Sequence, residues 1–274
     1  MSVPRLRPPG LALALWIACG GPLAADSIDD GDRAFEAGDF AAAMAAWRPA
    51  AEAGEPTAEF RMGVLYDEGR GVAADPEAAV AWWRRAAEAD YAPAQHNLAL
   101  TLMDGSLGAP DFAQAMSWLE RAAKQDYARS LYTLGKHALD GVGMAKDAGR
   151  AFDLILAAGR AGLPAAAYNL GKFYRDGIGT RADPVAAAAW FRFAAERGHA
   201  RSMTRIGTRL DGGDGVAVDK VAALAWLILA VAHGDEEAKA ERDRVAKAVG
   251  VEGIKAAQAR ADAFQLLAGP DPMP

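Results

Sequence analysis

The sequence predicts an all-α solenoid, a stack of helix–turn–helix units of 36 residues each, closed by a helical cap at its C-terminal end. Three observations predict it. Trp82, Trp118, Leu154, Trp190 and Trp226 recur at one fixed period, and Gly69, Gly105, Gly141, Gly177 and Gly213 recur at the same period. So do Asp75, Asp111, Asp147, Asp183 and Asp219, together with Ala86, Ala122, Ala158, Ala194 and Ala230. These columns stay in register over residues 58–237 without insertion or deletion. Self-similarity at a period of roughly 20–50 residues marks stacked supersecondary units, each burying its apolar face on its neighbours.

Taken in order, residues 1–25 have the layout of a secretory signal. Arg5 and Arg7 form a basic start, residues 11–18 are an apolar run, and Leu23, Ala24 and Ala25 offer small residues for cleavage before Asp26. The run is too short to span a membrane. The expectation is an exported chain with its mature N-terminus at Asp26 and no stable membrane insertion after cleavage. Cys19 is the only cysteine. The alternative is a lipoprotein acylated at Cys19, although Trp16, Ile17 and Ala18 lack the leucine usual three positions before such a cysteine. Cleavage after Ala25 leaves no disulfide framework and no thiol ligand.

Residues 26–57 read as a shortened first repeat, in which Trp47, Ala50 and Ala51 echo Trp83, Ala86 and Ala87. In the unit starting at Ala58, Ala58, Met62, Gly63 and Tyr66 form one helical stripe. Gly69 and Gly71 accept the positive φ of a helix C-terminus. Asp75 then caps the next helix, with Pro76 at its first position. Ala79, Trp82, Ala86 and Ala87 make the stripe of the second helix, so Trp82, Trp118, Trp190 and Trp226 are expected to be largely buried. Past Gly234 the period stops. Residues 235–249 and 252–268 read as two amphipathic helices carrying Val245, Val249, Ile254, Ala257, Ala261, Phe264 and Leu267. Residues 238–268 form the cap that covers the open end of the stack. Residues 269–274 read as a disordered tail.

Several strings now point to a family. Leu134-Gly135 is followed by Gly141 and Gly143, and Leu170-Gly171-Lys172-Phe173-Tyr174 by Gly177 and Gly179. With the Asp cap, the Trp and the Ala pair, this pattern resembles the Sel-one-like repeat (SLR) family, a branch of the tetratricopeptide-repeat superfamily. The second unit departs from it with Ala99 and Leu107-Gly108, and the third with Leu154. The resemblance implies a right-handed α-solenoid serving as an adaptor that binds proteins or peptides on its concave side. It also implies that exported bacterial members act in envelope signalling, surface-polysaccharide regulation, flagellar assembly and host contact.

Chemistry is sparse. A net charge of −6 argues against a nucleic-acid partner, which demands a basic stripe. His96, His137, His199 and His233 have no metal-site spacing, and no Gly-x-Ser-x-Gly or Ser-x-x-Lys motif occurs. No catalytic residue, cofactor or metal is therefore expected. The expected function is a non-catalytic periplasmic scaffold. The alternatives are a cell-wall or polysaccharide-associated structural protein and, more remotely, a peptidoglycan or β-lactam hydrolase.

At 100° per residue, positions opposite the first-helix stripe should line the groove. These are Phe60, Val64 and Asp67; His96, Leu100 and Met103; Tyr132, Lys136 and Leu139; Tyr168, Lys172 and Arg175; and Thr204, Thr208 and Asp211. The candidate partner-binding set is Phe60, His96, Tyr132, Lys136, Tyr168, Lys172 and Arg175, with Asn97 and Asn169 one position on. Lys136, Lys172 and Arg175 beside tyrosines suit an acidic peptide, with the asparagines bonding its backbone. The aromatic column has a second explanation, packing against the next unit, and the cations a second one as a solvated face.

Overall fold

The computed structural model describes residues 22–105 and 108–267. Residues 1–21 of the signal-like stretch 1–25, Cys19 included, lie outside them, as do Leu107 and the tail, while residues 22–25 fall in the first helix. Among the described residues there are 13 helices and no strands. First and second helices alternate: α1 (Pro22–Glu36) and α2 (Phe40–Glu52), α3 (Pro56–Glu68) and α4 (Pro76–Glu88), α5 (Ala92–Asp104) and α6 (Phe112–Ala123). The stack continues with α7 (Ala128–Asp140) and α8 (Ala148–Arg160), α9 (Pro164–Asp176) and α10 (Pro184–Glu196), α11 (Ala200–Gly212) and α12 (Lys220–Ala232). Each helix packs chiefly on its neighbours in sequence, and α13 (Ala238–Asp262) closes the end against α12. No described helix is long and apolar enough to cross a membrane.

The repeated polar residues make the turns. The first helices α3, α5, α7, α9 and α11 each end on a left-handed glycine, among them Gly69 at φ 65° and Gly213 at φ 75°. The Asp column then caps the second helices: Asp75 accepts from the Ala78 amide at 2.9 Å, and Asp183 from the Val185 and Ala186 amides at 2.9 and 3.0 Å. The amide of the same Asp donates back to the last turn of the first helix, Asp75 to Tyr66 at 2.9 Å and Asp183 to Tyr174 at 2.7 Å. One residue type thus satisfies orphan groups on both sides of the turn, which explains why the same Asp stands in all five units.

The helix pair within a unit is held by a column that the sequence reading placed one residue too early. Trp82, Trp118, Trp190 and Trp226 are only partly buried. The residues that follow them, Trp83, Leu119, Phe191 and Leu227, are buried, with Ile155 in the third unit. Ala79, Trp83, Ala86 and Ala87 form the stripe facing α3, and Trp82 is turned by about 100° from it, toward the preceding unit. There the Arg85 guanidinium lies 4.6 Å above the Trp82 ring. The large side chain lands on a glycine of the first helix: a Cβ at Gly63 would lie 2.3 Å from Trp83 Nε1, and one at Gly171 would lie 2.5 Å from Phe191. Trp83 Nε1 donates to the Phe60 carbonyl at 3.2 Å, and Trp47 repeats the arrangement with Gly31 and the Ile28 carbonyl.

The cap is two helices joined end to end at Gly250, φ 67° and ψ −176°. The first begins at Ala238, later than the expected start at residue 235. Val245, Ala257 and Ala261 are buried on the end of the stack, and Phe264 meets Trp226 at 4.9 Å. Ile254 and Leu267 remain exposed, contrary to expectation. Leu267 is tied instead through its backbone amide to the Glu196 carbonyl at 2.8 Å.

Candidate functional site

The first helices carry a face where side chains of three or more successive units converge on open space, and that space begins at the N-terminal end. A cavity of about 380 Å³ has aromatic walls: Phe35, Trp47 and Phe60 with Tyr91 and Tyr127. Val64 completes its apolar surface, and Arg61, Glu68 and Arg70 stand at its edge. These charges are already partnered. Arg61 pairs with Asp32 and lies 5.3 Å from the Trp47 ring, while Arg70 pairs with Glu68 at 2.7 Å and lies 5.2 Å from Phe40.

A second cavity of about 330 Å³ shares Val64 and Glu68 with the first, so the two run together. It adds His96, Asn97 and Leu100 from α5, Asp67 and Asp104 at the helix ends, and Arg129 of α7. Burial, reinforced by the nearby Asp104 charge, pushes the Asp67 carboxyl above the usual carboxylate range. The groove therefore starts apolar and turns acidic along one side.

The predicted aromatic column has a structural role that the sequence reading left open. Phe60 is buried against Tyr91 at 5.4 Å, and His96 against Tyr127 at 5.5 Å. His96 Nδ1 lies 3.0 Å from Ser130 Oγ, and burial pushes the imidazole down to about 4. Tyr168 stacks on His199 at 4.7 Å, and Thr204 donates to buried Asp235. Each residue of the column thus packs on the one 31 positions later, at the entrance to the next first helix. Tyr132 follows with Leu163 in its cluster, and its hydroxyl accepts from Asn169 Nδ2 at 2.7 Å. Phe60 and His96 are therefore part of the wall between units, and Asn169 is engaged within it.

The cations differ. Arg175 grips Asp176 with two bonds of 2.6 and 2.7 Å. Lys136 is exposed and Lys172 half-buried, with ammonium groups 6.0 and 5.9 Å from the Tyr132 and Tyr168 ring centroids. Neither makes an ion pair among the described residues. Asn97 is half-buried and lines the second cavity, beside the apolar part of the face rather than the lysines. The counting from Ala58 missed Phe35, Tyr91 and Tyr127, because it followed one helix at a time. The signal was present: Tyr91, Tyr127, Leu163, His199 and Asp235 form a column of the same period.

No group of three or more His, Cys, Asp or Glu side chains among the described residues is arranged to hold a metal. What the face offers is shape, apolar surface and a few cations.

Residues 56–91, 92–127, 128–163, 164–199 and 200–235 each match the Sel1 repeat. The chain belongs to the Sel1 repeat family. Sel1 repeat proteins are generally scaffolds for protein–protein interaction, built on a fold that is typically non-catalytic. A crystal structure of a Sel1 repeat protein from Oxalobacter formigenes is similar over 87% of this chain and 100% of that one, at 27% identity and a TM-score of 0.75. A protective antigen present in uropathogenic Escherichia coli strains, displaying an SLR fold, matches 88% of this chain and 60% of its own, at 23% identity and a TM-score of 0.53. An immunity protein from Pseudomonas aeruginosa matches 79% and 85%, at 17% identity and a TM-score of 0.54. At these lower identities the likeness is one of fold. No curated protein matches the chain.

Proposed function

We propose that this Sel1 repeat protein is a non-catalytic periplasmic scaffold that holds a segment of another envelope or membrane protein along its first-helix face. The observation that carries the reading is the run of two connected cavities on that face, aromatic at one end and followed by Lys136 and Lys172, which have no ion-pair partner among the described residues. Stacked units are rigid and leave a long surface on which an extended chain can be read unit by unit. Export rests on the basic, apolar and small-residue order of residues 1–25.

A photo-crosslinker at Leu100, in the second cavity, tests the binding face in envelope extract. Cross-linking of one stoichiometric protein, lost when the crosslinker is moved to the opposite side at Arg84, supports the reading. Retention on purified cell wall without a protein partner would favour a wall-associated structural role, and turnover of muropeptides or β-lactams would overturn the scaffold reading. Mass spectrometry of the exported product checks the N-terminus: Asp26 is expected, whereas an acylated Cys19 would make the chain a lipoprotein.

A further inference from the structure

Resting on the reading that the first-helix face holds a partner segment, we propose that this face is a ruler for a bipartite linear peptide. One large apolar side chain of the peptide fills the aromatic cavity. An acidic residue at least about six positions away meets Lys136, and a second, at least about three positions further, meets Lys172.

The column that reads the peptide is Val64, Leu100, Lys136, Lys172 and Thr208, one residue per unit. It changes from apolar to basic between the second and third units and returns to neutral in the fifth. Several other cations of the face are spent within the fold: Arg61 on Asp32, Arg70 on Glu68, Arg175 on Asp176 and Arg209 on Asp214. Lys136 and Lys172 are left, held beside tyrosine rings that keep each ammonium on the face. Asp176 feels the Lys172 charge, but its oxygens are bonded to Arg175, so neither ammonium is paired to a carboxylate and each can take one supplied in trans.

Spacing follows from the stack. First helices of successive units meet through side chains, as Tyr132 and Asn169 do at 2.7 Å, while their backbones pack chiefly on the second helices, so the spacing of first helices is no less than about 8–10 Å, the distance of directly packed pairs. An extended chain rises about 3.3 Å per residue, so one unit corresponds to at least about three residues. Val64 and Lys136 are two units apart, which sets the interval of at least about six, and Lys172 is one unit beyond. The stretch between is selective in the opposite sense. An acidic residue placed there would face Asp67, with Asp104 and Arg129 both engaged within the fold, so repulsion adds to attraction in setting the register.

A displayed library of random 12-residue peptides, selected on the purified protein, tests the ruler whatever the natural partner is. Enriched peptides should share a large apolar residue separated from two acids by one fixed pair of intervals, at least about six and about nine positions. Changing Lys136→Glu together with Lys172→Glu should weaken a selected peptide by at least about tenfold per site, and converting both peptide acids to lysine should restore binding to that variant. Lys124→Glu with Lys247→Glu is the control and should leave affinity unchanged. Val64→Arg should abolish binding while circular dichroism stays native, and the charge variants keep the test decisive if Val64→Arg unfolds. Enrichment of peptides lacking the spacing, or failure of the charge exchange to restore binding, overturns the ruler and leaves the scaffold standing. Enrichment of no linear peptide overturns the groove reading with it.

Discussion

Gly171 is one of the closely packed glycines of the fold, and Gly171→Ala tests the account of how helix pairs lock. The added methyl would sit 2.5 Å from both Cδ1 and Cε1 of Phe191 and 2.8 Å from Cζ. Carbons settle at about 3.5–4.0 Å, so either the ring or the helix must move by about 1 Å. The ring has nowhere to go: Phe191 is fully buried, with Tyr168 at 5.8 Å and the Arg209 guanidinium at 5.3 Å. Overpacking of this kind costs about 1–3 kcal/mol, offset by about 1 kcal/mol because alanine is the better helix former. A net loss of up to about 2 kcal/mol should lower the melting temperature by up to roughly 8 °C in a chain of this size. The same substitution at Gly212, in the last turn of α11, meets nothing within 4 Å and should hold or raise the melting temperature. Melting followed by far-UV circular dichroism reads both. If Gly171→Ala melts at or above the unsubstituted protein, or if Gly212→Ala falls as far, the close approach of helix to ring is not what holds the pair together.

Trp83→Ala removes a buried ring and its bond to the Phe60 carbonyl and should cost about 3–5 kcal/mol, whereas the partly buried Trp82→Ala should cost less; urea midpoints of the two rank them. Asp183→Ala strips the cap from the Val185 and Ala186 amides and should cost about 1 kcal/mol, most of it recovered by Asp183→Asn in the same assay. His96 is held near 4 by burial while the unfolded imidazole titrates near 6.5, so the unfolded state binds more protons between those values. Its contribution is therefore present above about pH 6.5 and is lost as pH falls toward 4, on the order of 2–3 kcal/mol; His96→Gln should flatten that part of the stability profile.

The repeat is legible because it depends on contacts close in sequence. An Asp that caps a helix, a glycine that ends one and a proline that starts one act within a few residues, so their spacing alone determined the period, the helix order, the all-α class and the family. The choice between Trp82 and Trp83 was not legible. Both lie within the apolar arc of α4, and only the docking of that helix onto Gly63 decides which one turns inward. The same holds for the candidate site. Phe60 and His96 have the right phase to face the groove, yet each is covered by an aromatic residue 31 positions later that the path of the chain brings against it. Lys136 and Lys172 stay free of ion pairs because no carboxylate among the described residues comes within bonding distance, and that is a fact of three-dimensional packing. The aromatic cavity gathers Phe35, Trp47, Phe60, Tyr91 and Tyr127 from three helices and two inter-unit links. Local sequence sets which helices form, but the stacking of one unit on the next decides which side chains share a wall, because that distance is crossed only when the solenoid closes up.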